Sequence, residues 1–299
     1  MRRWTKPSRP GPDPTFSMGT GGRSAIGKPG SEYTVFERAI LEAILEAKRA
    51  GTKAILATII RDQGSVPRHA GAKMLACPDG RIVGTIGGGE MESRVIAALP
   101  GLLESGVPTI LHFELADPSR GDPGVCGGQV DIFLEPILPD PAVLVIGCGH
   151  VGQAVIELAH WLGFRVIACD DRADLCNPQA TPYADEYLVV PAAEVAGKAP
   201  IHARTYIAAV TRGMPLDVEM LPALLKTDAP YIGVIGSRRR WAAASRELAG
   251  RGIPERDLER VHAPIGLELN AETPREIAVS VLAEIVAVQR GGTGQPMMK

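Results

Sequence analysis

The sequence predicts an α/β protein in two parts, an N-terminal α+β domain followed by a C-terminal Rossmann-like domain with a parallel sheet. Three observations predict it. "AVLVIGCGHVGQAVIELAHWLGFRVIACDDR" runs strand, glycine turn, helix and strand over about thirty residues, the pattern of a βαβ unit. Ahead of it, short apolar runs rich in β-branched residues alternate with turn residues, as hairpin-forming strands do. Between these textures "EPILPDPAV" carries three prolines and no periodicity, which marks a boundary.

Taken in order, residues 1–31 are rich in Gly, Pro and basic side chains and are expected to form a disordered tail, with Met18 an alternative start. The N-terminal domain is assigned to 32–136. "YTVFERAILEAILEAKRAG" predicts a helix with Val35, Phe36, Ile40, Ile44 and Leu45 on one face and Gly51 at its C-terminus. "AILATII" reads as a buried strand. "GAKMLACPDGRIVGTI" reads as a hairpin turning at Pro78-Asp79-Gly80. A triglycine then opens a helix from Glu90 to Leu103, and "TILHFEL" and "QVDIFLEP" supply two more strands.

Residues 137–142 are read as a linker and 143–290 as the Rossmann-like domain. "ADEYLVV", "TYIAAV" and "YIGVIG" are its later strands. "TPREIAVSVLAEIVAVQR" is a closing helix with Thr273 as cap, Pro274 in the first turn and Glu276 completing a capping box. Residues 291–299 are expected to fray.

Composition narrows the function classes. The formal net charge of −2 gives no global attraction to nucleic acid or an anionic membrane. Aromatic content of 4% leaves few platforms for stacking bases. No apolar run approaches the roughly 20 residues of a bilayer-spanning helix. Five cysteines, at 77, 126, 148, 169 and 176, form no C-x-x-C pair and follow no secretory segment, so a reducing, cytoplasmic setting is expected.

Five motifs carry possible chemistry. Gly147-Cys148-Gly149-His150-Val151-Gly152 fits G-x-G-x-x-G directly after the strand "VLVI". Its glycines let backbone amides approach a pyrophosphate at a helix N-terminus. Asp170 lies 23 residues after Gly147, where a ribose hydroxyl would need an acceptor. The same turn also serves helix–strand packing without any nucleotide, and His150 is either a turn residue or a polar ligand contact.

"VIGSRRR" is a second strand-to-helix junction, in which Ser237 can cap while Arg238 and Arg239 offer donors to an anion or acidic partner. Arginines there oppose the helix dipole, so helix stability does not explain them. A solvated basic face is the alternative. In "RDQGSVPRHAGAKML", Ser65, Arg68 and Lys73 surround Pro67 and Gly71, and the cations could neutralise a phosphate or pterin-linked anion. Gly87-Gly88-Gly89 is a candidate nest of amide donors. Cys126, followed by Gly127 and Gly128, sits in a small-residue loop where nearby amides would favour the thiolate that binds metal or sulfur. The other cysteines read as structural.

"GSVPRHAGAKML", "DGRIVGTIGGGEMESRV", "CGGQVDIFLEP", "IGCGHVGQAV", "YIGVIGSRRR" and "RVHAPIGLELNAETPREIAVSVLAEI" occur in the order seen in the XdhC/CoxI family, which the chain resembles from Glu32 to Arg290. The resemblance implies an accessory chaperone for molybdenum hydroxylases of the xanthine dehydrogenase or carbon monoxide dehydrogenase type. Such a protein binds the molybdenum cofactor, holds it while a cysteine desulfurase supplies its sulfido ligand, and passes it to the apo-hydroxylase. It implies cofactor contacts at Ser65, Arg68, Lys73, Gly87, Gly88, Gly89, Glu90, Glu92, Cys126, Gly127 and Gly128, with Cys126 as molybdenum ligand, and a homodimer. Relatives often carry cysteine directly after the triglycine, where this chain has Glu90, and a carboxylate does not replace a soft thiolate. Asn270 stands where the family pattern leads to glycine. Two other functions compete: an NAD(P)-dependent oxidoreductase using Gly147, Gly149, Gly152 and Asp170, and an interaction adaptor in which both glycine sites are structural.

Overall fold

The computed structural model describes residues 32–115 and 128–297. The first part contains α1 (Glu32–Arg49), β1 (Ala54–Gln63), β2 (Lys73–Ala76), β3 (Ile82–Gly84), α2 (Gly89–Ser105), β4 (Thr109–Glu114) and β5 (Gln129–Ile137). Its five strands form an antiparallel sheet in the order β3-β2-β1-β5-β4. The hairpin turns as its sequence predicts: Asp79 Oδ1 accepts the Arg81 amide at 2.9 Å, and the Gly80 amide donates to Cys77 O.

Helix α2 covers one face of this sheet, burying Met91, Val95 and Leu99 against Ile55, Ile59, Ile132 and Leu134. Helix α1 covers the other through Ile40 and Ala43. Its inner face therefore differs from the expected one. Leu45 is 52% exposed, and Ala47 is buried in its place. The spacing Ile40, Ala43, Ala47 follows the 3.6-residue period, and alanines let the helix lie close to the strands.

β5 runs on through Ile137 and the next strand begins at Ala142, so the connection narrows from the expected 137–142 to 138–141. The second part contains β6 (Ala142–Ile146), α3 (His150–Trp161), β7 (Arg165–Asp170), β8 (Glu186–Val189), α4 (Val195–Lys198), β9 (Thr205–Ala209), α5 (Met214–Leu224), β10 (Tyr231–Val234), α6 (Arg238–Gly250), α7 (Glu255–Leu258), β11 (Val261–His262) and α8 (Pro274–Arg290). Six parallel strands stand in the order β11-β10-β9-β6-β7-β8. The chain starts in the middle at β6, builds outward through β7 and β8, then crosses back to β9. This is a doubly wound sheet with its switch point between β6 and β9.

Alternation along β6 shows why both faces are covered. Val143 and Val145 pack under α3 and α8, while Ala142, Leu144 and Ile146 pack under α5 and α6. The capping box on α8 is complete: Thr273 Oγ1 accepts the Glu276 amide at 3.3 Å, and Glu276 Oε2 accepts the Thr273 amide at 2.9 Å. Among the described residues no helix is long and apolar enough to cross a membrane.

Candidate functional site

In the N-terminal part, the loop between β1 and β2 is shaped by Asp62. Its Oδ1 accepts the Ala70 amide at 2.9 Å and its Oδ2 meets His69 Nδ1 at 2.8 Å. The His69 bond holds this carboxyl below the usual range, with help from the Ala70 amide. Gly64 and Gly71, at φ of 77° and 97°, let the chain leave and rejoin the sheet. Ser65 is exposed, and Arg68 and Lys73 are half-buried. Among the described residues neither cation pairs with a carboxylate.

Two close approaches join this loop to the other motifs. A Cβ on Gly87 would stand 3.0 Å from Pro67 Cβ and 2.9 Å from Met91 Cε. A Cβ on Gly128 would stand 2.3 Å from Ser65 O. The loop, the triglycine and the start of β5 therefore meet, because β5 pairs beside β1. Cys126 and Gly127 lie outside the described residues.

The triglycine is less open than its sequence suggests. Its residues have φ of 120°, 77° and 60°, all in the region that favours glycine. Glu92 Oε1 accepts from Thr85 Oγ1 at 2.6 Å, the Ile86 amide at 3.2 Å and the Gly88 amide at 3.0 Å. Thr85 Oγ1 in turn accepts the Gly87 amide at 3.1 Å. Two of the expected nest donors are thus consumed, and Glu92 is a loop clasp. The amides of Gly89 and Glu90, in the first turn of α2, have no intrahelical acceptor. Among the described residues Glu90 Oε2 is buried with no hydrogen-bond partner. An orphaned carboxylate oxygen is costly unless it is protonated or meets a donor.

In the C-terminal part, a cavity of about 350 Å³ opens at the carboxyl ends of β6, β7 and β9. Gly147, Gly149, His150, Gly152, Asp170, Asp171, Arg172, Thr211 and Arg212 are among its walls. Two of the three motif glycines have internal reasons. At Gly147, φ is 108° and a Cβ would stand 2.6 Å from Val210 O. A Cβ on Gly152 would stand 1.8 Å from Gly147 O. Gly149 has φ of −70° and nothing within 4 Å of a Cβ, so only its bareness towards the cavity sets it apart. His150 is exposed at the start of α3.

Asp170 is committed internally. It is 4% exposed. Its Oδ2 accepts the Cys148 amide at 2.7 Å and Arg172 Nη2 at 2.9 Å, while Oδ1 accepts the Arg172 amide and Nε. It braces the glycine turn instead of offering a free carboxylate. The neighbouring Asp171 is gripped by both Nη atoms of Arg212 at 2.7 Å, and that bond, foremost, holds its carboxyl far below the usual range. Cys148 and Cys176, the latter in the loop after β7, are buried in one core. The Cys176 thiol donates to Ala168 O at 3.4 Å and Leu188 O at 3.6 Å, and its nearness, with burial, pushes the Cys148 thiol well up. Burial pushes Cys169 up to about 12.

At the second junction Ser237 caps α6, its Oγ accepting the Arg240 amide at 3.2 Å. Arg238 and Arg239 are exposed, Arg238 with only a 3.7 Å approach to Glu268. Arg240 turns inward instead, donating to Asp217 Oδ2 from Nη2 at 2.6 Å and to Thr211 Oγ1 at 2.8 Å. Asp217 is fully buried, and burial raises its pKa against these bonds. Sequence reasoning missed Asp217, Thr211, Asp171 and Arg212. Only the acidic pair at the end of β7 could have signalled one of them.

Fold and motifs together define a two-part protein, an antiparallel sheet domain with a glycine-rich loop corner ahead of a Rossmann-type domain. Residues 143–285 match the XdhC Rossmann domain, and residues 47–114 match the XdhC and CoxI family. The chain belongs to the XdhC and CoxI family. It is 35% identical to the uncharacterized protein YqeB of Escherichia coli (strain K12) over 82% of its length, and spans 45% of that protein. It is 23% identical to a probable xanthine dehydrogenase subunit of Bacillus subtilis (strain 168), covering 84% of this chain and 97% of that one. It is also 23% identical to the molybdenum cofactor insertion chaperone PaoD of E. coli (strain K12), covering 84% and 88%. A solved structure described as a xanthine dehydrogenase from Bacillus halodurans aligns over 85% of this chain and 95% of its own, at 21% identity and a TM-score of 0.46.

Proposed function

We propose that this protein is a maturation factor that binds the molybdenum cofactor as cargo, holds it for sulfuration by a cysteine desulfurase, and delivers it to an apo-molybdenum hydroxylase. The observation that carries this reading is the meeting of the Ser65–Lys73 loop, the triglycine and the start of β5 in one place. The described residues fit such a cargo. Arg68 and Lys73 meet no carboxylate among the described residues, the first-turn amides of α2 suit a phosphate, and the Glu90 oxygen that lacks a partner among them can accept from a pterin edge. Cys126 is the proposed soft donor to molybdenum. Glu90, standing where relatives often have cysteine, contributes hydrogen bonding and not metal ligation. A reducing cytoplasm and a homodimer accompany the proposal.

Anaerobic purification after co-expression with intact cofactor biosynthesis tests it. Pterin released and oxidised to a fluorescent product, with molybdenum in similar amount, is the expected result. Arg68→Glu and Cys126→Ala should each lower both without unfolding the chain. Cofactor-free protein under those conditions would overturn the reading. A second reading concerns the C-terminal crevice, which a nucleotide such as NAD(P) fits. Its volume, glycine turn and position at the switch point favour this over a purely structural domain. An oxidoreductase would need that nucleotide bound tightly, and an adaptor would bind neither ligand.

A further inference from the structure

We propose that the crevice takes a ribonucleoside phosphate with free 2′- and 3′-hydroxyls, and that Asp171 receives them when its ion pair with Arg212 opens. This rests on the reading of the crevice as a nucleotide site and is independent of the N-terminal cargo. In a doubly wound sheet, an acidic side chain at the end of the second strand receives the ribose. Asp170 holds that place here, but both of its oxygens are filled by the Cys148 amide and Arg172. Asp171 is the next carboxylate on the cavity wall.

Asp171 follows β7 and Arg212 follows β9, and these strands flank β6. The pair consequently spans the crevice above the glycine turn. Its side chains are 36% and 50% exposed, so solvent reaches both partners and can replace their bidentate bonds as they part. Each half matches one part of a nucleotide: a carboxylate accepts from a vicinal diol, and a guanidinium donates to a phosphate. Opening the pair exchanges one set of charge-assisted bonds for another. Asp170, Asp171, Arg172 and Arg212 cancel in formal charge, which leaves no surplus cation for a 2′-phosphate. Beyond Ile235 a second hollow of about 450 Å³, walled by Gly236, Arg238 and Gly266, leaves room for the rest of a dinucleotide.

The shared chemistry has two sources, a free adenine dinucleotide or the nucleotide end of the cargo, and the preferred base separates them. Isothermal titration of the full chain with AMP, GMP, CMP and UMP identifies the base. The matching 2′-deoxynucleotide and ribonucleoside 2′,5′-bisphosphate then probe the hydroxyls. Losing or phosphorylating the 2′-hydroxyl should weaken binding about tenfold or more. Asp171→Asn should weaken the parent nucleotide similarly and erase the ratio between ribose and deoxyribose, whereas Arg212→Gln should keep that ratio. Should Asp171→Asn unfold, the ratio in the unmodified chain and in Arg212→Gln still decides. A nucleotide that binds with no regard for its 2′-hydroxyl overturns the role of Asp171 alone. Failure of all four nucleotides at millimolar concentration overturns the nucleotide reading with it. Pterin content measured on the same samples reports separately on the N-terminal proposal.

Discussion

Glu92 reaches back from the first turn of α2 to accept the Gly88 amide at 3.0 Å, and the same oxygen also holds Thr85 and the Ile86 amide. The strained glycine corner is thus secured by a carboxylate four residues on, at the helix end where negative charge is favourable. Charge-assisted bonds of this kind contribute about 1.5–3 kcal/mol each when a partner is removed. Glu92→Ala should lower stability by about 2–3 kcal/mol in urea unfolding, since solvent replaces part of the loss. Glu92→Gln, which keeps an acceptor, should cost about 1 kcal/mol. An alanine variant within about 0.5 kcal/mol of the parent would mean the clasp is not formed in solution.

The three motif glycines should separate by experiment. Gly152→Ala forces a Cβ to within 1.8 Å of Gly147 O, a backbone atom, and should destabilise the C-terminal part by more than about 3 kcal/mol or prevent its folding. Gly149→Ala meets nothing and needs no unusual φ, so its melting temperature should stay close to the parent value. Its methyl would stand in the crevice and should weaken nucleotide binding. Equal thermal stability for both variants would contradict the turn geometry described above.

Local signals made most of the fold legible. The hairpin turn at Pro78–Gly80, the G-x-G-x-x-G turn and the Thr273 capping box each need only a few adjacent residues, and each forms as its sequence predicts. β11, two residues long, carries no period to read. The site was legible as motifs but not as chemistry. Glu92 and Asp170 look like ligand groups in sequence, yet the structure turns each onto the protein itself, as it does Arg240 beside the exposed Arg238 and Arg239. Whether a charge faces inward depends on partners supplied by other elements, such as Asp217 from α5. The approach of Gly128 to Ser65 follows from strand pairing between distant segments, which no local pattern encodes.

Asp217 and Arg240 offer a test of how a buried ion pair contributes here. Asp217→Leu leaves Arg240 and Thr211 without their acceptor in a nearly dry setting and should cost about 3–5 kcal/mol. Adding Arg240→Leu removes the stranded charge, so the double variant should be more stable than Asp217→Leu alone. Urea unfolding of the four proteins gives the coupling directly. Strict additivity of the two single losses would show that the pair is not formed.

Glu284 on α8 gives the fold a defined response to acid. Its Oε1 meets His262 Nδ1 at 2.8 Å, and its Oε2 accepts the Gly266 amide at 2.7 Å and the Tyr231 hydroxyl at 2.5 Å. Burial, the largest influence, would raise this carboxyl, but the bonds from His262, Tyr231 and Gly266 together outweigh it and leave it lowered. A carboxyl lowered on folding contributes stability that is fully present above its unfolded value of about 4.3 and is lost as pH falls through the folded value. Glu284→Gln removes that titration. The variant should be less stable than the parent at neutral pH, and its urea midpoint should fall less steeply from about pH 4.5 to pH 3. Asp62 and Glu276 are also lowered, so some acid sensitivity should survive the substitution. Identical slopes in the two proteins would move the whole acid response onto such groups and remove Glu284 from it.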